Sequence, residues 1–424
     1  MENERKTSNG ITVYTYPLPH LHEFCISLYI KAGVLYEGEG ENGITHFLEH
    51  IHFRNLGGIP QSELYRKLQL LGARMNANTY KEFLYFYLVA VPQHFDECMK
   101  LFVKLLAPLT ATPADVKAER RRIQSEIRED DSASSLECFS NKEIWRGTSL
   151  NRLIAGSIKD MEQIDLEMLK AKKAELFTQD NMFFYVTGNY SSNHIDSLCR
   201  EIETYEIAPT LHVRENTVAR PENFQNRNGR VIAKRYDHLS DIQFTFDVEY
   251  KKYSIPEIDL LYDILFTGEC SRFKMLLSEK KGMLYDFDAY IERYNNIGTL
   301  YLQFSVMGSK LLDAIRMTTQ VFQSMKTQIT AEDLALVLSR YQDNILSDLD
   351  YVEGFNFQMA YDNHITNCGY KSVEELRGLY AAVTPQRLEK IAEEIFQPQN
   401  LVVSVKGDNR KSTLTTIQGM ISQL

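Results

Sequence analysis

The chain has no C-x-x-C pair; its six cysteines, Cys25, Cys98, Cys138, Cys199, Cys270 and Cys368, stand far apart. That spacing excludes a thiolate zinc site and, in a chain of 424 residues, argues against a disulfide framework. The thiols read as reduced and buried, as in an intracellular protein. No stretch approaches the ~18 to 20 consecutive apolar residues that cross a bilayer. Met1 to Gly10 is polar and charged and lacks the apolar core of a secretory signal. Basic residues are outnumbered, 47 Lys and Arg against 57 Asp and Glu, and a net charge of -10 argues against a nucleic-acid binder. There is a single Trp and no low-complexity tract. With 44% hydrophobic and 25% charged residues, disorder and collagen-like repeats are out as well. These absences leave a soluble, cytoplasmic globular protein, of two to three domains at ~150 residues each.

What is present first is an internal repeat. Asn9-Gly10 precedes two β-branched and aromatic runs joined by a polar turn, and Asn228-Gly229, 219 residues later, precedes the same strand-turn-strand pattern. The far ends match at the same offset: Q-D-N-M-F-F-Y-V-T-G-N, ending at Asn189, against P-Q-N-L-V-V-S-V-K-G-D, ending at Asp408. Between them Arg74-x-Asn76 lines up with Arg293-x-Asn295, each placed before a long alternating strand. The pattern is that of a tandem duplication, with domains at 1–208 and 230–424 joined by a polar linker at 209–229 that contains Pro209 and Pro221. Each half runs strand, strand, helices, long strand, helices, strand. That order predicts an α+β fold, two homologous sandwiches with helices on one face of a largely antiparallel sheet.

The strongest chemical signal is T-H-F-L-E-H-I-H-F at 45–53. On a helix, His46 and His50 share a face, so both imidazoles can meet one cation, and Glu49 borders that face. Two neutral imidazoles and a carboxylate are the ligands of a catalytic zinc with an open fourth position. Such an ion lowers the pKa of its water towards ~7 while a carboxylate takes the proton. The order H-x-x-E-H is the inverzincin arrangement. A structural histidine pair is the plainer alternative; a helix following two strands, with acidic residues available elsewhere, favours the metal. The third ligand falls on a helix over 114–131, where Glu119 and Glu126 share a face. A solvated charged helix would also fit the run Arg120 to Arg122, and spacing does not choose between Glu119, Glu126 and Glu129.

H-F-L-E-H followed 76 residues later by Glu126 resembles the pitrilysin or insulinase family of zinc peptidases, and the two-repeat length is similar to its short-chain branch, which includes the mitochondrial processing peptidase. The resemblance implies one Zn2+ per chain, held by His46, His50 and Glu126, with Glu49 as general base and Glu119 supporting the site. It also implies two half-shells meeting around a chamber, one of them formed by this chain. L-G-A-R-M-N-A-N-T at 71–79 is similar to the family's substrate edge, where Asn76 and Ala77 would pair with a peptide as an added strand. An ordinary strand end is nearly as good a reading there.

The second half departs from the family. Ser271-Arg272-Phe273 and Tyr285 match, Tyr285 as a substrate-binding residue, but the arginine expected at 278 is Ser278. No metal motif recurs; the counterpart of His46 at the 219 offset is Leu265. The chain thus reads as the zinc-bearing subunit of a heterodimer whose homologous partner supplies the arginine. A homodimer in which Arg272, Lys280 or Lys281 substitutes is the alternative. The expected activity is endopeptidase cleavage of short or unfolded peptides, with a non-catalytic peptide-binding or scaffold subunit as the rival. His20, His22 and His52 are set aside as packed or solvated, and Glu37 to Glu41 and Glu129 to Asp131 as solvated charges.

Overall fold

Strands that are apolar at every position take the middle of a sheet, because both faces must be covered. In the computed structural model the described residues are 1–129, 135–210, 229–235, 239–249, 252–284, 286–294, 298–367 and 369–424. Residues 211–228 of the expected linker at 209–229, together with Asp130, Asp131, Tyr285, Asn295 and Cys368, lie outside them. The chain forms two units: residues 1–131, 152–216 and 346–372, and residues 132–151, 217–345 and 373–424.

In the first unit the order is β1 (Asn3–Lys6), β2 (Thr12–Pro17), β3 (Phe24–Lys31), α1 (Ile44–Arg54), the short hairpin β4 (Asn55–Leu56) and β5 (Ile59–Pro60), α2 (Gln61–Leu70), β6 (Arg74–Thr79), β7 (Phe83–Ala90), α3 (Phe95–Phe102) and α4 (Pro113–Glu129). After α5 (Leu136–Ile144), which belongs to the second unit, come α6 (Ile158–Gln163), α7 (Leu166–Leu176), β8 (Met182–Gly188) and α8 (Ser192–Ile202). The six-stranded sheet runs β1-β2-β8-β3-β7-β6 and is antiparallel except for β2 beside β8. β3, β7 and β8 are buried almost throughout, and the polar β6 is the edge.

Helices do not cover only one face of this sheet. A helix from late in the chain, α12 (Val352–Ala360), packs against β8 and β3. It fits because β3 alternates Ser27 and Tyr29 with Ile26, Leu28 and Ile30, all buried. The second set faces the main core. The first meets α12, where Ser27 donates to Asn356 at 2.5 Å and Asn356 donates to the Tyr185 carbonyl and the Thr187 hydroxyl, both at 3.2 Å. Strand alternation in β3 thus marks two buried faces, where the sequence suggested one.

The second unit holds β9 (Arg230–Arg235), β10 (Leu239–Val248), α9 (Ile255–Phe266), a π-helix at Lys274–Lys280, β11 (Phe287–Arg293), β12 (Gly298–Met307), α10 (Leu311–Met325), α11 (Ala331–Asp348), α13 (Val373–Ala381), α14 (Pro385–Ile395), β13 (Leu401–Gly407) and α15 (Lys411–Ile421). Its sheet runs β11-β12-β10-β13-β9, with β9 parallel to β13. Here the early helix α5 packs on β13 and β10. Both units therefore repeat one plan, each completed by a segment from the other half of the sequence.

Two details differ from the sequence reading. Arg74 opens β6, whereas Arg293 closes β11 and pairs with Asp259, so these arginines are not counterparts. Among the cysteines, Cys25, Cys98 and Cys138 are free and buried, but Cys199 is half-buried and Cys270 exposed, since Cys270 lies in the turn after α9. No helix among the described residues is long and apolar enough to cross a membrane.

Candidate metal centre

The helix α1 starts where the chain needs a left-handed residue. Gly43 has φ 85°, and a Cβ there would lie 2.7 Å from the Ala155 carbonyl oxygen. The first turn's free N–H groups are met by Glu37, whose carboxylate accepts from the backbone of Gly43 at 2.8 Å and Thr45 at 3.0 Å. Glu37 is buried, not solvated as the acidic stretch suggested, and burial raises its pKa. Phe47, Leu48 and Ile51 bury one side of the helix, which leaves His46, Glu49 and His50 along the other. His52 is packed, stacked on Phe177 with its Nδ1 2.6 Å from the Leu48 carbonyl oxygen. His20 lies at the surface near Asp350.

Helix α4 buries Val116, Glu119 and Ile123 against the core. Arg120 anchors it by donating to the carbonyls of Met161 at 2.9 Å and Ile164 at 2.6 Å. This brings Glu126 to 3.7 Å from His46 Nε2 and 3.6 Å from His50 Nε2. Behind His50, the buried Glu119 carboxylate lies 3.3 Å from Nδ1 and 3.7 Å from the Arg54 guanidinium. An acceptor there holds the proton on Nδ1 and leaves the Nε2 lone pair facing Glu126. Glu129 ends α4 as an exposed residue.

Ligand atoms of His46, His50 and Glu126 all lie within 4.8 Å of one another, the one such group among the described residues. Burial, and secondarily the neighbouring His50, lowers the pKa of His46 to about 3, so this imidazole is neutral and ready to coordinate. Its buried Nδ1 has no hydrogen-bond partner. Glu49 is pushed up by burial and drawn back down by the Thr79 hydroxyl, which donates to it at 2.6 Å. Thr79 ends β6, so the edge strand and the motif helix are tied together at Glu49.

A cavity of about 290 Å³ opens beside these groups, lined by Glu49, His50, Phe53, Tyr65, Met75, Asn76, Arg122 and Glu126. Asn76 is exposed at its rim; Ala77 is buried on the core side of β6. β6 pairs only with β7 among the described residues, so its other edge has no strand partner there. In the second unit Ser278 sits on the π-helix, 3.3 Å from Glu279. Arg272 is occupied by the carbonyls of Ser324 and Gln328 and by Asp333, while Lys280 and Lys281 are exposed. Tyr285 lies outside the described residues.

Glu37, Arg54, Thr79 and Arg122 escaped the sequence reading. Thr79 lies in the 71–79 motif and Arg122 one turn before Glu126, but their roles, like those of Glu37 and Arg54, depend on partners brought in by the tertiary fold.

The H-x-x-E-H helix, the distant glutamate and the paired α/β units define the class: the chain belongs to the insulinase-type peptidase family. The family model "Insulinase (Peptidase family M16)" matches residues 18–157, and "Peptidase M16 inactive domain" matches residues 163–341. Relatives include an uncharacterized zinc protease, YmxG, of Bacillus subtilis, 21% identical and covering 92% of this chain and 94% of that protein. The human mitochondrial-processing peptidase subunit beta is 23% identical over 77% of this chain and 68% of its own. Among solved structures, a protease from Helicobacter pylori superposes with a TM-score of 0.84 at 16% identity, over 96% of this chain and 100% of that one, a likeness of fold. The periplasmic protease PqqL from Escherichia coli gives 0.79 at 16% identity, this chain covering half of it.

Proposed function

We propose that the chain is a zinc metalloendopeptidase that cleaves short or unfolded peptides held as an added strand along β6. The observation that carries this is the convergence of His46 Nε2, His50 Nε2 and the Glu126 carboxylate within 4.8 Å, with Glu49 beside them in an open cavity. The donor set fits zinc: two imidazoles, one held neutral and the other oriented by Glu119, plus one carboxylate. One ion per chain is the expected load. When bound, zinc supplies Lewis-acid polarisation and an acidic water.

The chain's own groups do the rest. Glu49 takes the proton as water oxygen bonds to the scissile carbonyl carbon, and later returns it to the amide nitrogen as the C–N bond breaks. Thr79 holds the Glu49 carboxylate in place between these transfers. The free edge of β6 at Asn76 and Ala77 offers backbone groups to an extended peptide, which sets the scissile bond over the cavity.

A homologous partner subunit is part of this reading. Ser278 cannot supply a cation, and Arg272 is already engaged, so the arginine facing the oxyanion would come from elsewhere. A cytoplasmic location goes with the proposal.

The test is zinc content together with cleavage of a quenched peptide library, for wild type and Glu49→Gln. About one zinc per chain, with cleavage lost in the variant while zinc stays, is expected. Zinc without cleavage by the wild type points to a missing partner or a peptide-binding subunit, and full activity of the isolated chain overturns the heterodimer. Absence of zinc overturns the whole reading.

A further inference from the structure

Resting on that reading, we propose that Arg122 makes the cavity selective for peptides with an acidic side chain next to the scissile bond. Arg122 precedes Glu126 by one turn of α4, so the two share a helix face. It lines the same cavity as the β6 residues Met75 and Asn76 and the aromatic side chains Phe53 and Tyr65. The guanidinium has no ion pair among the described residues. Glu126 does not serve as its partner, because that carboxylate is aimed at His46 and His50.

The second unit shows what an arginine does at this place. α4 and α11 begin alike: Thr112 and Asp115 cap the first, Thr330 and Asp333 the second, and an arginine, Arg54 or Arg272, binds each aspartate. Ten residues beyond the capping threonine stand Arg122 and Arg340 respectively. Arg340 lines a cavity of about 380 Å³ and meets Asp263 at 3.5 Å. There the chain supplies the carboxylate itself. Among the described residues of the first unit no carboxylate forms an ion pair with Arg122, and a metal ion on Glu126 would leave the cavity with surplus positive charge.

An extended peptide on β6 turns alternate side chains to one face. A residue beside the scissile bond would therefore enter the cavity that Phe53, Tyr65 and Met75 line. Their apolar surfaces suit the stem of a glutamate and Arg122 its carboxylate, a charge-assisted contact. The partner class is thus an acidic peptide. Arg122 acts on recognition, while Glu49 carries the proton.

The experiment uses matched quenched peptides with Glu, Gln, Ala or Lys on either side of the cleaved bond. They are assayed for hydrolysis by wild type, Arg122→Gln and Arg122→Glu, and for binding to the same chains carrying Glu49→Gln. Wild type is expected to favour Glu over Lys by about 10-fold or more in kcat/KM and in affinity. Arg122→Gln should level that preference and Arg122→Glu should invert it, with zinc content unchanged. Equal use of Glu and Lys by wild type, or a preference that survives Arg122→Glu, overturns the proposal. Binding preference without hydrolysis supports it and points to a missing partner or a peptide-binding subunit; hydrolysis without charge preference overturns it and leaves the peptidase reading standing.

Discussion

Glu119 and Glu126 bracket one imidazole: the first lies 3.3 Å from His50 Nδ1, the second 3.6 Å from its Nε2. Seven residues apart on one helix, they face the two nitrogens of the same ring; in the proposed site the first would orient it and the second would complete the ligand set. Glu119→Gln keeps the shape but loses the charge that fixes the Nδ1 proton. Zinc affinity should fall by about 10- to 100-fold with the fold intact. Competition against a chelator measures it, and unchanged affinity would make Glu119 merely a partner of Arg54.

Thr79→Val removes the hydroxyl that donates to Glu49 at 2.6 Å. That bond favours the charged carboxylate, so its loss raises a pKa already raised by burial. A base that stays protonated to higher pH moves the acid limb of the kcat profile upward. At pH 6 kcat should drop by roughly three- to tenfold, recovering at pH 8. A profile that falls equally at both pH values would contradict this assignment.

Lys173 is buried with its ammonium donating to the Leu105 carbonyl at 2.8 Å, and burial lowers its pKa to about 7. Between that value and the ~10.4 of the unfolded chain, the unfolded state binds more protons. Stability therefore rises as pH climbs from 7 towards 10, by a few kcal/mol at most. Lys173→Met should flatten that rise, read from urea midpoints of the metal-free protein at pH 7 and 9.

Asn356→Ala removes the side chain that makes most of α12's polar contacts with the first sheet, leaving the Thr187 hydroxyl donating to the Val352 carbonyl at 3.1 Å. The Ser27 hydroxyl still donates to the Tyr185 carbonyl at 3.1 Å, so neither group is orphaned and the cost is about 1 to 2 kcal/mol. Fluorescence-monitored unfolding in urea measures the loss. A shift below about 0.5 kcal/mol would show that packing alone seats the helix.

Much of this site is readable from local pattern, because its ligands sit at helical spacing. His46, Glu49 and His50 follow from one turn of helix; Glu119 and Glu126 share a face two turns apart, but the family resemblance, not the spacing, singled out Glu126. The strands were legible for the same reason: β3 and β7 are apolar runs of the right length. What reading along the chain missed depends on distant partners. Glu37 looked like one of several solvated acids, yet Gly43 and Thr45 draw it inward. Arg122 looked like part of a basic surface run, although Arg120 and Arg122 differ completely in what they face. Arg74 and Arg293 matched by letter and spacing, but they sit at opposite ends of their strands. The burial of both faces of β3 could not be seen without α12, which comes from the other half of the sequence.

That late helix also sets a timetable for biosynthesis. The last strand of the first sheet ends at Gly188, while the helix that covers its second face begins at Val352. At ~5 to 20 residues per second, a ribosome needs roughly ten to thirty seconds to make the intervening chain. Throughout that interval an aromatic sheet face bearing Tyr29, Tyr85 and Phe183 stands open to other nascent chains. The first unit cannot finish folding as soon as its own strands emerge, because part of its cover is made more than 160 residues later.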